Sequence, residues 1–331
     1  MGRGAQLMAV LGVAWLASAD SQQLARFEYS EPHMGTLMKI VLYADDETSA
    51  RDASHAAFAR IAALDETFSD YRDSSEVMRL SRASGGAPVK VSDDLFRVLR
   101  ASQALARASD GAFDVTAGPL TILWRYARRH SEVPSADRLD AARALVGDAR
   151  MELDDANHTV WLRVPGMQID LGGIAKGFAA DEAALVLTRS GISRALVAAG
   201  GDIVATDAPP GQDGWRVAVS SLPPAPAGPV TLRNAAVSTS GDAEQFFEAN
   251  GVRYSHIIDP RTGHALEGRS SVTVIAPNGT TSDSLATAVS VMGPESGLRL
   301  VEATSGTAAR ITRMDKDGRA QVFRSARWQE R

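Results

Sequence analysis

The stretch IDLGGIAKGFAADEAALVL, residues 169–187, passes from a strand pattern to a helix pattern within a few residues. Its apolar start ends at Asp170, two glycines follow, and Lys176 and Gly177 begin a segment typical of a helix. Glycine lets a backbone approach a ligand closely, and the N–H groups at a helix start attract phosphate oxygens. The spacing matches neither common nucleotide-binding motif, G-x-x-x-x-G-K-S/T or G-x-G-x-x-G. A tight connection that binds nothing is therefore the alternative.

The composition limits the classes of protein to which the chain can belong. It has 331 residues, of which 44% are hydrophobic and 23% charged, as expected for a globular chain with a large core. The formal net charge of −5 gives no support to a broad basic surface, so nucleic acid is not expected as a partner. The chain has no cysteine, which excludes disulfides, thiolate chemistry and a lipid-anchored cysteine.

The N-terminus, MGRGAQLMAVLGVAWLASAD, has the layout of a secretory signal peptide over residues 1–19. Arg3 gives a basic start, residues 7–16 are apolar, and Ala17, Ser18 and Ala19 form a small-residue exit. The apolar run is shorter than the roughly 20 residues that span a bilayer. We therefore expect an exported, periplasmic chain that is soluble after cleavage, and a buried N-terminal helix is the alternative.

The order of helix and strand patterns predicts an α+β fold. Helical patterns are grouped between residues 47 and 147, whereas strand patterns with turn punctuation dominate from residue 151 onward. Grouped helices followed by grouped strands favour helices packed around mixed or antiparallel sheets over a regular βαβ alternation. We expect residues 20–331 to form one domain, with room for two subdomains that meet near residue 150.

The segment SDSLATAVSVMG, residues 282–293, predicts a helix that carries oxygen ligands on one face. We expect Thr281 or Ser282 to cap it, Asp283 to lie in its first turn, and Thr287 to follow one turn later on the same side. A carboxylate and a hydroxyl with room for water suit magnesium. The alternative is that Asp283 only complements the helix dipole.

The segment YSHIIDPRTGHALEG, residues 254–268, places His256 in a strand just before a turn at Asp259-Pro260. A titrating group on a rigid strand suits a general base, and a packed, hydrogen-bonded histidine is the alternative. The other five histidines form no metal-binding spacing, so a zinc site has no support.

Taken together, these segments resemble the ApbE-like flavin transferases, a family of FAD:protein FMN transferases. The resemblance extends over nearly the whole chain after the signal peptide. The matching stretches are MGT (34–36), FSDYRDSSEV (68–77), GAFDVTAGPL (111–120), DLGGIAKGFAAD (170–181), AGGD (199–202), STSGD (238–242), HIIDPRTG (256–263) and DSLATAVSVMG (283–293).

The resemblance implies the ApbE-like fold and an exported transferase. Such an enzyme cleaves FAD with the help of Mg²⁺, transfers FMN to a Thr or Ser hydroxyl of an acceptor flavoprotein, and releases AMP. Respiratory flavoprotein subunits and exported FMN-binding domains are the candidate acceptors. A magnesium-dependent FAD pyrophosphatase that releases FMN and AMP is the close alternative, and a non-catalytic exported FAD carrier is the more distant one.

The resemblance also implies roles for individual residues. Asp283, Thr287 and the backbone carbonyl of Gly173 would hold Mg²⁺, and His256 would be the catalytic base. The flavin-binding positions that it gives are Met34, Tyr71, Ala112, Phe113, Asp114, Asp170, Lys176 and Ile257. The chain departs from the family pattern at Ala243, where an aromatic residue is usual, and at Ser282 and Ser284, where alanines flank the aspartate.

Overall fold

A computed structural model gives the fold and describes residues 24–220, 222–223, 227–242, 245–315 and 317–329. The predicted signal peptide, residues 1–19, and Ala243 lie outside the described residues. Within the described ranges, no helix is both long enough and apolar enough to cross a membrane. The predicted division near residue 150 stays a prediction.

The described part of the chain contains seven α-helices and sixteen strands. The helices are α1 (Glu47–Phe68), α2 (Glu76–Arg82), α3 (Asp93–Ala108), α4 (Gly118–His130), α5 (Ala136–Arg143), α6 (Ala175–Arg189) and α7 (Gly279–Ala303). The strands are β1 (Ala25–His33), β2 (Thr36–Ala44), β3 (Val89–Lys90), β4 (Met151–Asp154), β5 (Thr159–Leu162), β6 (Ala195–Ala199), β7 (Asp202–Ala205), β8 (Trp215–Val217), β9 (Val230–Leu232), β10 (Ala235–Gly241), β11 (Phe246–Ala249), β12 (Val252–Ile258), β13 (Ala265–Glu267), β14 (Ser270–Ala276), β15 (Ala308–Met314) and β16 (Ala320–Arg324).

The largest sheet has eight strands in the order β1-β2-β6-β7-β10-β14-β15-β16, and each neighbouring pair is antiparallel. Smaller sheets have the orders β11-β12-β13, β3-β5-β4 and β8-β9. The antiparallel strands and separately grouped helices agree with the predicted α+β class. The alternation of buried and more exposed residues in β6 reflects one face covered by a helix and one face turned away from it.

Two large apolar clusters fill the space between the helices and the main sheet. The first joins α3, α7 and β14 around residues such as Leu99, Val289 and Val274, and we call it core A. The second joins α1, α6, β2 and β6 around residues such as Ile61 and Ala183, and we call it core B. Alanine at successive positions of α6 allows this helix to lie close to its neighbours.

Helices α6 and α7 cap each other at their first turns. Asp181 on α6 accepts hydrogen bonds from the backbone N–H groups of Gly279 (2.6 Å) and Thr280 (2.8 Å) at the start of α7. In return, Asp283 on α7 accepts from the backbone N–H of Gly177 (2.9 Å) at the start of α6. Each carboxylate thereby satisfies backbone donors that a helix start leaves without partners.

The crossing of these helix starts requires glycine on both sides. A Cβ atom at Gly177 would collide with the carbonyl oxygen of Gly279, and one at Gly279 would lie 2.5 Å from the carbonyl oxygen of Gly177. Neither residue has a positive φ. Glycine is therefore needed here for space rather than for conformational freedom.

A network of ion pairs fixes α6 against the helices before it. Arg60 on α1 donates to Asp94 at the start of α3 (2.6 Å) and to Glu182 on α6 (2.7 Å). Arg97 on α3 donates to the other oxygen of Glu182 (2.7 Å). The Glu182 side chain is only 10% exposed, so these charge-assisted bonds form where water competes little.

The small sheet β11-β12-β13 packs against α4 through aromatic rings. Trp124 on α4 lies 5.5 Å from Tyr254 and 6.1 Å from Phe247, measured between ring centroids. Its indole N–H donates to the carbonyl oxygen of Gly263 (2.8 Å). This contact holds β12, which carries His256, at a set position relative to α4.

Replacing Gly177 by alanine should lower the free energy of unfolding by about 1–3 kcal/mol, because the new methyl group would meet the backbone of α7. Urea unfolding measures this loss. Gly228→Ala is the matched control, since nothing lies within 4 Å of a Cβ at that exposed position. An unchanged midpoint for Gly177→Ala would show that the two helix starts are not in close contact.

Candidate functional site

A cavity of about 710 Å³ opens between α4, α6, α7, β12 and the turn that joins β1 to β2. Its volume lies within the roughly 300–1,000 Å³ usual for small-molecule sites. All twelve residues singled out from the sequence line it. They are Met34, Tyr71, Ala112, Phe113, Asp114, Asp170, Gly173, Lys176, His256, Ile257, Asp283 and Thr287.

The start of α7 differs from the sequence prediction. The helix begins at Gly279, with Asn278 as the N-cap whose side chain accepts from the N–H of Thr281 (2.8 Å), so neither Thr281 nor Ser282 is the cap. Asp283 therefore lies in the second turn of α7 and does not complement the dipole of its own helix. Its Oδ2 accepts from the first turn of α6 instead. The sequence prediction failed because Asp181, which binds the true start of α7, is distant in the chain.

Asp283, Thr287 and Gly173 are neighbours in space. The Oγ1 of Thr287 lies 3.0 Å from the position that a Cβ would take at Gly173, and Phe113 lies 3.3 Å from the same point. The φ of Gly173 is not positive, so glycine is favoured here by space, because a Cβ would lie tightly against the Thr287 side chain and the Phe113 ring. Ser240 places a second hydroxyl 3.4 Å from that of Thr287.

The oxygen donors at this end of the cavity suit a hard cation. Asp283 supplies a carboxylate whose Oδ1 accepts no hydrogen bond from the described residues, and Thr287 supplies a hydroxyl. No group of three or more His, Cys, Asp or Glu side chains within the described ranges is placed to hold a metal ion. A cation bound here would thus depend on few protein ligands, as magnesium does when substrate phosphates and water complete its shell.

A buried charge pair stands next to Asp283. Lys176, in the first turn of α6, forms an ion pair with Asp202 at the start of β7, and the Asp202 side chain is only 4% exposed. Burial, followed by the charge of Asp202, raises the pKa of Asp283 to about 7, while Lys176 opposes the shift. The AGGD stretch contains Asp202, but no role for this residue could be predicted, because only the β6–β7 hairpin brings it to Lys176.

His256 is held in one orientation by the chain that precedes β11. The carbonyl oxygen of Gln245 accepts from the backbone N–H of His256 (3.1 Å) and lies 3.1 Å from its ring Nδ1. A carbonyl only accepts, so Nδ1 carries the proton and Nε2 has the lone pair in the neutral ring. Burial and the charges of Lys176 and Arg128 lower the pKa of His256, which keeps the ring neutral near pH 7.

An aromatic and charged cluster forms the other end of the cavity. Tyr71 is 72% exposed, and the Arg125 guanidinium lies 4.6 Å from its ring centroid. Arg125 pairs with Asp70 and approaches Asp170 (3.7 Å). Burial and the charge of Asp170 raise the pKa of Asp70. The exposed tyrosine face and the planar guanidinium together form a surface for a flat ring.

Met34 lies in the β1–β2 turn at a φ of 50°, which is uncommon for a residue other than glycine. Its N–H donates to Asp65 on α1 (3.2 Å), and its side chain packs against both core A and core B. The turn therefore presents a thioether to the cavity from the point where the two cores meet.

The remaining predicted residues shape the wall between the two ends. Asp114 lines the cavity, but its oxygens already accept from Thr116 (2.8 and 2.7 Å) and from the N–H of Asp148 (2.9 Å). Its carboxylate thus fixes its own loop as well as facing the cavity. Burial raises its pKa. The buried residues of this wall are Ala112, Phe113 and Ile257.

Sequence reasoning assigned no role to many lining residues with polar side chains. Five that the site uses are Asp70, Arg125, Arg128, Asp202 and Gln245. The sequence contains a signal for Arg125 and Arg128, because they follow Thr121 at helical spacing on one side of α4. The other three reach the cavity only through tertiary contacts.

The raised pKa of Asp283 predicts a pH-dependent stability in the absence of divalent cations. The folded protein binds this proton up to about pH 7, whereas the unfolded chain releases it near 3.8, so Asp283 destabilises the fold as pH rises from 5 to 8. Between pH 5 and pH 8 the free energy of unfolding of Asp283→Asn should therefore rise relative to that of wild type, by at most about 3 kcal/mol. Urea unfolding in EDTA at both pH values measures the difference, and an equal gap between the two proteins at pH 5 and pH 8 would contradict it.

Comparisons with known proteins agree with this geometry. The family model described as the ApbE family matches residues 34–311. An FAD:protein FMN transferase of Treponema pallidum (strain Nichols) is 36% identical over 320 residues, which cover 89% of this chain and 87% of the relative. One from Klebsiella pneumoniae (strain 342) is 33% identical over 276 residues, which cover 82% and 84%.

Solved structures resemble the fold closely. The apo form of the Pseudomonas stutzeri flavinyl transferase ApbE has a TM-score of 0.82 at 32% identity, over 93% of this chain and 96% of that one. The flavin transferase ApbE of Vibrio cholerae has a TM-score of 0.78 at 30% identity, over 92% and 98%. The α+β prediction and the resemblance noted from the sequence are confirmed, and transferase is the enzyme class in these relatives' names. The chain belongs to the ApbE family.

Proposed function

We propose that the chain is an FAD:protein FMN transferase, which cleaves FAD with the help of Mg²⁺, attaches FMN to a Thr or Ser hydroxyl of an acceptor flavoprotein and releases AMP. The observation that carries the proposal is that one cavity contains both a set of oxygen donors next to Lys176 and a histidine with a preset tautomer. The first group suits a diphosphate with its cation, and the second suits a hydroxyl nucleophile.

At the diphosphate end, Asp283, Thr287 and the carbonyl oxygen of Gly173 would hold Mg²⁺. The fit rests on hard oxygen donors only, one of them a carboxylate that already prefers a proton or a cation because it is buried. When bound, magnesium neutralises phosphate charge and stabilises the negative charge that develops on the leaving group. Lys176, in the first turn of α6, lines the same region of the cavity, and its charge favours the phosphate oxygens.

At the nucleophile end, Nε2 of His256 takes the proton of the acceptor hydroxyl. The hydroxyl oxygen then forms a bond to the phosphorus of the FMN half, and the bond from that phosphorus to the bridging oxygen breaks. AMP leaves with the electron pair of the broken bond. The lowered pKa of His256 keeps Nε2 unprotonated at neutral pH, as a base of this kind requires.

At the flavin end, Tyr71 and Met34 provide an aromatic face and a thioether for the isoalloxazine ring. The backbone and side chains between Ala112 and Asp114 border this region, as do Asp170 and Ile257. Arg125, beside Tyr71, adds hydrogen-bond donors that are held in place by Asp70.

Export to the periplasm through residues 1–19 would bring the enzyme to its acceptors. A respiratory flavoprotein subunit or an exported FMN-binding domain with an accessible Thr or Ser fits the proposal. The sequence pattern at the N-terminus is the support for export.

The two competing functions predict different products. A pyrophosphatase would use water as the nucleophile and form FMN and AMP without an acceptor, whereas a carrier would retain intact FAD and form no AMP. The fixed tautomer of His256 favours a catalytic role over that of an FAD carrier, since binding alone does not need a base. Incubation with FAD, Mg²⁺ and an acceptor, followed by mass spectrometry of the acceptor and AMP quantification, separates all three.

Asp283→Asn should reduce transfer at least about a hundredfold, because it removes the charged oxygen donor for the cation. Asp181→Asn is the matched control, since Asp181 is the other carboxylate of the reciprocal caps and does not line the cavity. We expect Asp181→Asn to lower the melting temperature with much less effect on the rate measured below it. Equal rate losses in the two variants would assign Asp283 to helix capping alone.

His256→Ala should slow transfer about 10²–10⁴-fold, the usual contribution of a general base. FAD affinity, measured by flavin fluorescence, should change little, because all of the residues proposed for the flavin and the diphosphate except Ile257 lie on other elements. His264→Ala, at the exposed histidine beyond the same strand, is the control. A loss of FAD affinity as large as the loss of rate would make His256 a binding residue.

A further inference from the structure

An ion pair outside the proposed chemistry joins β12 to the end of β10. Arg253 on β12 donates through Nε to Oδ2 of Asp242 (2.5 Å) and through Nη2 to the Asp242 carbonyl oxygen (2.9 Å). The other carboxylate oxygen, Oδ1, accepts from the backbone N–H of Ser270 (2.9 Å). Asp242 is 1% exposed, so this charge depends on its partners. We call this pair the Asp242–Arg253 clasp.

Arg253 contacts the chain on both sides of the residue that orients His256. Gln245, whose carbonyl oxygen contacts both the backbone N–H and the ring of His256, follows Asp242 in the chain and directly precedes β11. Phe246, the first residue of β11, pairs with Ser255, and the Arg253 guanidinium lies 3.1 Å from the centroid of its ring. The position of the Gln245 carbonyl therefore depends on the contacts that Arg253 makes with Asp242 and Phe246.

The clasp also contributes to the charge near the imidazole. Lys176 on α6 and Arg128 on α4 disfavour the protonated ring, whereas the Asp242 carboxylate favours it. Arg253 is the cation paired with that carboxylate. Removing either member would leave the other charge uncompensated near His256.

We propose that the Asp242–Arg253 clasp positions His256, by holding the Gln245 carbonyl oxygen against Nδ1 and by balancing the charge that the ring experiences. The inference rests on the proposed role of His256 as a base. Asp242 and Arg253 are positioning residues in this scheme, since neither Asp242 nor Arg253 lines the cavity.

The two halves of the clasp should lower the pKa of His256 to different extents. Both variants loosen the contact between the Gln245 carbonyl oxygen and Nδ1, which favours the protonated ring. Asp242→Asn also removes a carboxylate that favours protonation, whereas Arg253→Met keeps it, so Asp242→Asn should lower the pKa more. A role limited to stability would leave the pKa of His256 in the folded protein unchanged.

NMR titration of the purified protein, labelled with ¹⁵N at histidine, tests this without any transfer assay. The His256 resonance is identified by its absence in His256→Ala. We expect a lower pKa of His256 in both variants, with the larger change in Asp242→Asn, and a smaller excess of the Nδ1-protonated tautomer in both. Arg299→Met, which removes an exposed ion pair with Glu295, is the control and should change neither quantity.

Transfer kinetics give the second test. We expect Arg253→Met and Asp242→Asn to lower kcat at least about tenfold, within the range that a general base supplies, with less than about twofold change in FAD affinity. Arg253→Lys, which keeps the charge but not the two-donor geometry, should recover part of the rate. In a His256→Ala background the clasp variants should cause no further loss.

The outcomes separate this inference from the proposed function. A His256 pKa that rises or stays unchanged in Asp242→Asn, or that falls more in Arg253→Met, overturns the clasp even if wild-type transfer is strong. Rate losses of the clasp variants that multiply with that of His256→Ala overturn it as well. A wild-type protein that forms neither flavinylated acceptor nor AMP refutes the proposed function instead, while the expected lowering of the His256 pKa in the two variants would still support the positioning of the ring.

Discussion

The reciprocal capping of α6 and α7 is the constraint on which the site depends. The carboxylate of Asp181 on α6 binds the first turn of α7, and the carboxylate of Asp283 on α7 binds the first turn of α6. Two glycines let the helix backbones contact each other. These bonds fix the rotation of α7 about its axis, so Asp283 and Thr287 lie beside Gly173 and Lys176. A cap contributes about 1 kcal/mol to a helix in many proteins. Here the same bonds also fix the relative position of the oxygen donors.

The two ends of the cavity are built by different kinds of contact. The diphosphate end rests on backbone proximity and buried charge, since Asp202, Lys176 and Asp283 share a small volume. The nucleophile end is carried by a three-stranded sheet that is tied to α4 by Trp124 and to β14 through Asp242. The proposed chemistry requires a fixed distance between these ends, and both are attached to the main sheet.

Much of the fold and of the site could be predicted from the sequence, and the limits have physical causes. Helical spacing, turn residues and the family motifs predicted the α+β class and twelve residues that meet in one cavity. The predicted start of α7 was wrong, because the N-cap is Asn278 and the first backbone N–H groups of the helix bind Asp181 on α6. The partner of Lys176 and the carbonyl that orients His256 were not predicted either. Both are tertiary contacts, one made by a hairpin and one by a backbone oxygen that any residue would supply.

The turn at Met34 has a consequence for how the protein responds to a bound ring. This one side chain is shared by core A and core B, and its strained backbone is held by Asp65 on α1. A planar ligand bound against the Met34 thioether would contact a side chain that packs against both core A and core B. Occupancy of that end would then suppress independent opening of the two cores, so hydrogen exchange would slow together in α7, which packs in core A, and in β2, which packs in core B.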